Sequence, residues 1–313
     1  VVSHAPFWHD GTSLASRHYN IMLAALLPVI AGFFTYGMPA VGVVALAIST
    51  AIIWEWLLNK ISRQPVSIGD GNAALIGLLF AMLLPAMAPW WLVVTGTFVA
   101  VVIGKVIFGG LGGNPFNPAL MSFAILMVSW PAFLDFNSML ADYDTGFAMA
   151  YPLASAKYFG PETLAAFTPG ALLMGKQAGG LGATFGLGII IGGLYLIIRG
   201  FIRWEIVVSF LAGVFITALL FNALGDSSRY AGPVFHLLTG YTLLGAFFLA
   251  TEDSSSPVNF IPMIIYGAGG GIMTVLIRNI GVYIDGVVLA ILLMNIINPI
   301  VDKIRPKAMG KVA

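Results

Sequence analysis

The sequence predicts an all-α polytopic membrane protein of about ten transmembrane helices, arranged as two inverted five-helix repeats with interrupted helices. Three observations carry this reading. Of 313 residues, 59% are hydrophobic and only 9% charged, with a mean hydropathy of +0.96, a balance that excludes a soluble globular domain. About ten apolar runs follow one another, each near the ~20 residues that a bilayer core demands. The second set of five also repeats the first in order, the pattern of folds built from inverted halves.

Residues 1–19 form a polar N-terminal segment with His4, His9 and His18. Their spacing matches no zinc pattern, so capping or surface roles are expected and no metal site. The segment lacks the form of a cleaved signal, so the N-terminus is expected to stay cytoplasmic. The first membrane repeat is placed at 20–133, with runs at 20–38, 40–58, 72–87, 90–108 and 118–133. Within the second run, Glu55 sits between Trp54 and Trp56 and is expected to be buried, paired with Lys60 or Arg63.

An outer loop spans 134–181, carrying Asp135, Asp142, Asp144, Lys157, Glu162 and Lys176 among aromatics. A connection of this length in a compact protein is more often functional than idle. The second repeat is placed at 182–302, with runs at 182–199, 204–222, 234–251, 259–278 and 283–302, followed by a basic tail, 303–313. Ten of the 14 Lys and Arg residues fall on the N-terminal side of the bilayer; only Lys157, Lys176, Arg229 and Arg278 fall opposite. This bias predicts that both termini are cytoplasmic.

The repeat is visible in the residues themselves. Val93–Met127 runs through a basic residue and a glycine-rich turn into Ala119-Leu120-Met121-Ser122-Phe123-Ala124-Ile125-Leu126-Met127; Ile261–Asn295 repeats that order through Gly269-Gly270-Gly271, Arg278 and Ala290-Ile291-Leu292-Leu293-Met294. Gly182, Gly186, Gly188 and Gly192 give small-residue spacing suited to close helix packing. No glycine motif follows a strand, so a dinucleotide fold is excluded. There is no cysteine, which removes thiolate chemistry and cysteine-ligated iron–sulfur clusters from this chain. Basic residues sit singly at run ends, which gives no support to nucleic-acid binding.

The stretch Gly109–Ala119 holds four glycines, two prolines and two asparagines between long apolar runs. Backbone this irregular at membrane depth persists only where protein or a polar cavity satisfies its free groups. If Pro118 starts the next helix, the carboxamides of Asn114 and Asn117 are placed to face one partner, such as a uracil-like edge with alternating donors and acceptors. A tight inter-helix turn with asparagine caps is the alternative. Its mate in the second repeat is Asn279–Gly286.

These residues, with His236-Leu237-Leu238-Thr239-Gly240, the run Leu244–Thr251 and Asp285-Gly286-Val287, resemble the D subunit of the Rnf electron-transport complex. The B subunit of the sodium-translocating NADH:quinone oxidoreductase is a longer relative of the same fold. The resemblance implies a flavin-carrying subunit of a membrane-bound ion-pumping oxidoreductase in the bacterial inner membrane. Electrons would pass between ferredoxin and NAD through other membrane and peripheral subunits, coupled to Na⁺ or H⁺ movement. It also implies that the turn with Gly112, Asn114 and Asn117 cradles a non-covalent riboflavin.

One departure from the family stands out. Its FMN-bearing threonine corresponds here to Tyr151, in Met149-Ala150-Tyr151-Pro152-Leu153. FMN or riboflavin is therefore expected to be non-covalent, near Tyr151; Thr184 and Thr145 are the other candidate attachment points. Carboxylates next to the membrane, Asp70, Glu252, Asp253 and Asp302, match segments that the resemblance links to a cation route, although each alone also reads as a solvated helix end. No acid–base catalytic residue is expected and no catalysis by the chain alone. The competing readings are a small-solute channel or carrier, for which inverted halves serve equally, and a non-redox scaffold.

Overall fold

A computed structural model describes residues 13–63, 67–139, 150–160, 163–164, 167–224 and 230–304. His4, His9, Asp142, Asp144, Thr145, Met149, Glu162 and Arg229 lie outside them, as does the tail beyond Ile304. Among the described residues the secondary structure is entirely helical, as the sequence predicts.

The first half contains α1 (Leu14–Tyr36), α2 (Met38–Ile61), α3 (Asn72–Leu83), α4 (Trp90–Phe98, running on as a π-helical turn, Val99–Ile103) and α5 (Pro118–Ser129). The connection to the second half carries α6 (Pro152–Phe159). The second half contains α7 (Gly186–Ile198), α8 (Trp204–Leu224), α9 (Pro233–Leu238), a π-helical segment (Gly245–Leu249), α10 (Phe260–Asn279) and α11 (Val287–Val301).

Five of these segments are long and apolar enough to cross a bilayer. Four more are apolar but shorter, and the eighth is in two pieces. The sequence overstates the shorter runs because their ends unwind into turns inside the protein. Positions two to five of each half share one order of long, short or broken, long, short. Packing repeats too: α2 lies on α4 as α8 lies on α10, and the matching pairs α1 with α7 and α5 with α11 meet across the two halves. With five passes in each half, the halves run in opposite senses.

The first helix begins six residues before its apolar run. Ser13 caps it, its Oγ accepting from Ser16 N, and the polar turn that follows is held by partners: Arg17 pairs with Asp253, and His18 Nδ1 lies 2.7 Å from the Asp70 carbonyl. Gly182 precedes α7 and does not belong to it; its N–H donates to the Met82 carbonyl (3.1 Å) as Leu181 N donates to Leu84 O (2.9 Å), closing the open end of α3. Gly192 approaches the Ala24 backbone of α1 so closely that a side chain would collide, the packing role read from the glycine spacing.

The eighth segment breaks at Thr239–Gly240, where a single span is expected. Gly240 takes a φ of +63°, and the freed carbonyls need donors at membrane depth. Arg278 supplies them, donating to His236 O (2.8 Å) and Thr239 O (3.2 Å). Counted by sequence among outer-loop charges, Arg278 is in fact buried.

Candidate functional site

Polar groups gather at the two ends of the bundle. One end, here the terminal face, carries the start of α1, the end of α11 and the segments 67–71, 104–117 and 250–259. The opposite face carries α6 and the 280–286 turn.

At the terminal face, Leu111 and Gly112 form the rim of a cavity of about 360 Å³ whose other walls include His18, Asn72, Phe248, Glu252 and Asp253. Its backbone geometry follows from glycine: Gly109, Gly110 and Gly112 all have positive φ, which other residues adopt at a cost. The turn is folded over Asn114, whose Nδ2 donates to Phe116 O (3.0 Å) and to Glu252 Oε1 (3.2 Å). Glu252 Oε2 accepts from Ser255 N (2.9 Å) and Ser255 Oγ (2.5 Å). Burial pushes the Glu252 carboxyl up from its ordinary value, only partly offset by the Ser255 and Asn114 hydrogen bonds. Asp253 is also raised by burial, with Arg17 opposing.

Asn117 is spent elsewhere. Pro118 does start α5, and Asn117 Oδ1 accepts from Ala119 N (3.0 Å) and Leu120 N (3.2 Å), the free donors of that helix start. Its Nδ2 donates to Leu249 O (3.0 Å) at the end of the π-helical segment. The two carboxamides therefore do not share a partner; cap and loop chemistry separates them.

The carboxylates divide likewise. Glu252 and Asp253 line the cavity, and Asp70 is one hydrogen bond away through His18, its own Oδ1 capping Asn72 N at 2.8 Å. Asp302 is drawn off to hold the 250–259 loop through Val258 N (3.3 Å) and Asn259 Nδ2 (3.2 Å).

Beside the glycine turn lies a second polar cavity, about 330 Å³, lined by Glu55, Ser67, Asp70, Lys105 and Gly110 among others. Here Glu55 is buried as expected, but its partner is Lys105, whose Nζ donates to both carboxylate oxygens at 2.9 Å. Ser67 adds a third bond to Glu55. Lys60 instead lies 5.0 Å over the Trp56 ring. Lys105, counted by sequence with the charges of the N-terminal side, follows the π-helical turn that ends α4 and is buried.

At the opposite face, Tyr151 caps the start of α6 and is 4% exposed. Its ring packs against Phe136 at 5.1 Å between centroids, and its hydroxyl donates to Asp285 Oδ2 (3.3 Å). Burial and the Asp285 charge hold the phenol well above its usual range. Asp285 also accepts from Tyr241 N (2.8 Å), from Arg278 (2.9 Å) and, through Oδ1, from Val287 N at the start of α11 (3.1 Å). A cavity of about 240 Å³ lies against Phe136, Tyr151, Tyr241, Tyr283 and Asp285. Thr184 belongs to neither face: it is buried, and its carbonyl accepts from Gln177 Nε2 (3.3 Å).

Arg278 and Asp285 are the site residues a sequence reading undervalues. The signal was present, since Arg278 repeats Lys105 in the second half. His18 and Asn72 carried no such signal.

A multi-pass membrane protein of two repeated halves, with broken helices whose free backbone groups are satisfied by buried ion pairs and cavity-lining polar groups, is the class these features define. The chain belongs to the NQR2, RnfD, RnfE family, which it matches over residues 1–310. It is 36% identical to the D subunit of the proton-translocating ferredoxin:NAD(+) oxidoreductase complex of Clostridium ljungdahlii, covering 97% of this chain and 93% of that protein. It is also 36% identical to the D subunit of the Na(+)-translocating ferredoxin:NAD(+) oxidoreductase complex of Acetobacterium woodii, over 97% and 92%. With the D subunit of the ion-translocating oxidoreductase complex of Cronobacter sakazakii it shares 33% identity over 99% of this chain and 98% of that one.

Proposed function

We propose that this chain is the D-type subunit of an ion-translocating ferredoxin:NAD oxidoreductase complex in the bacterial inner membrane, with both termini cytoplasmic, and that it relays electrons through flavin and contributes to Na⁺ or H⁺ movement. The observation that carries this reading is the meeting, at one cavity, of the glycine turn with Glu252 and the Asp253–Arg17 pair, in a chain that matches the family almost throughout. The relatives named for H⁺ and for Na⁺ are equally similar, so the ion is left open between them.

The terminal-face cavity suits a flavin. Leu75, Leu79, Phe247 and Phe248 offer apolar walls, while His18 and Asn72 offer polar atoms at an edge. Gly112 leaves the rim open, since a Cβ added there meets nothing within 4 Å. Flavin held there supplies a carrier that exchanges one or two electrons. The chain's own part is to bind it between those walls, with Gly112 at the rim and Asn114 fixing the turn. Glu252, Asp253 and Asp70 place negative charge where a cation enters from the terminal face. At the opposite face the Tyr151 hydroxyl points to Asp285 and away from solvent, which favours flavin held without a covalent bond.

The test is flavin extraction from the purified complex. Denaturation is expected to release FMN or riboflavin into the supernatant, with reduced occupancy in a Gly112→Leu variant that assembles normally. A complex whose D-type chain carries no flavin would overturn the redox reading in favour of a carrier or scaffold.

A further inference from the structure

Lys157, His236, Arg278 and Asn279 line a cavity of about 250 Å³ at the opposite face, between α6, α9 and the end of α10. We propose that this cavity binds a phosphate-class oxyanion. The inference stands apart from the flavin reading of the terminal face.

Charge is the first argument. The Arg278 guanidinium is matched by Asp285, whereas Lys157 forms no ion pair among the described residues. Its Nζ donates to Gly281 O (2.6 Å) and Tyr283 O (2.7 Å), which leaves one of its three N–H groups unused. None of the described residues lining the cavity is acidic. Among the described residues, a net positive charge therefore faces a partly closed space.

Unpaired polar atoms are the second. His236 is 3% exposed, and neither ring nitrogen has a partner; the Nδ2 of Asn279 has none either. Buried groups of this kind are normally satisfied. Neutral imidazole offers one N–H and one lone pair. A phosphate-class oxyanion accepts from the ring N–H at one oxygen, while its remaining oxygens accept from Lys157 Nζ and Asn279 Nδ2. A halide presents a single acceptor centre, whereas an oxyanion presents several oxygens to these separate donors. The space is also several times the roughly 30 Å³ share of one water, which suits a polyatomic ion.

Phosphate of this kind comes from solution, from FMN or from a lipid headgroup, and binding assays on the full chain in detergent separate the three. Inorganic phosphate is expected to bind, and sulfate, with the same four acceptor oxygens, to compete with it. FMN outcompeting phosphate, with riboflavin inert, identifies a nucleotide source; phosphatidic acid in mixed micelles outcompeting both identifies a lipid. In each case Lys157→Met should weaken binding tenfold or more, with Lys176→Met unchanged. Asn279→Leu provides a second variant should Lys157→Met fail to fold. No binding of any phosphate bearer, or binding that both variants leave intact, overturns the proposal.

Discussion

Lys105 and Arg278 stand at matching positions in the two repeats, each 3% exposed and each closing a buried ion pair, with Glu55 and with Asp285. One pair lies toward the terminal face and the other toward the opposite face, as inversion of the halves requires. In both, a helix that would otherwise end in a loop carries its cation back into the protein, where it holds irregular backbone in place.

Removing one partner of such a pair leaves a buried charge unmet. Lys105→Met is expected to destabilise by about 3–5 kcal/mol. The double variant Glu55→Gln/Lys105→Met should recover most of that loss, because neither charge then remains buried. Thermal unfolding of the four members of this cycle in one detergent measures the coupling. A double variant no more stable than Lys105→Met would show that the pair is not what holds this end.

Arg278 has a further duty that lysine cannot perform. Its planar fork reaches His236 O, Thr239 O, Thr242 Oγ1 and Asp285 at once, and an ammonium is a single point donor. Arg278→Lys keeps the charge but is expected to leave at least one carbonyl of the broken helix unpaired, a loss of about 1–3 kcal/mol. Amide exchange should then accelerate around 239–245 and leave α2 unchanged.

Two glycines with positive φ separate strain from packing. At Gly240, φ is +63° and a Cβ would strike Asp285 Oδ2 and the Leu153 side chain. At Gly112, φ is +87° but a Cβ meets open space. Gly112→Ala should cost only the conformational strain of about 1–2 kcal/mol. Gly240→Ala adds overpacking of about 1–3 kcal/mol and should fail to assemble or unfold at distinctly lower temperature. Equal Tm losses would refute the distinction.

The number of passes, the repeat and the broken turn at Gly109–Ala119 were legible in the sequence, because apolar length, self-similarity and clustered Gly and Pro are local signals. What was not legible is where long side chains end. Glu55 was expected to find Lys60 or Arg63, near in sequence, and instead meets Lys105 fifty residues on. Asn114 and Asn117 look alike on paper, yet one reaches Glu252 and the other caps a helix. The break at Gly240 was hidden by the apolar residues on either side, which give the hydropathy of a continuous helix.

Glu252 predicts a pH dependence. Its folded carboxyl is raised by burial above the ordinary value of 4.5, so the folded state holds the proton more tightly than the unfolded chain. Such a group favours the fold below the unfolded value, and that advantage is lost as pH rises through the folded value. Glu252→Gln should flatten this part of the stability profile and raise Tm at neutral pH relative to the native chain. Tm measured from mildly acidic to neutral pH checks the sign: a native chain that gains stability over the window where the variant is flat contradicts it.

A non-covalent flavin, as proposed, carries a prediction at Tyr151. Its hydroxyl contributes one long bond to Asp285 (3.3 Å), and that carboxylate keeps Tyr241 N, Arg278 and Val287 N without it. Tyr151→Phe is therefore expected to cost no more than about 0.5–1.5 kcal/mol. Flavin that is held non-covalently should remain at the same stoichiometry in the variant, and peptide mapping of the native chain should find Tyr151 unmodified. A flavin-bearing Tyr151 peptide, lost in Tyr151→Phe, would show that the phenol is turned outward and esterified during assembly, and that its contact with Asp285 belongs only to the unmodified chain.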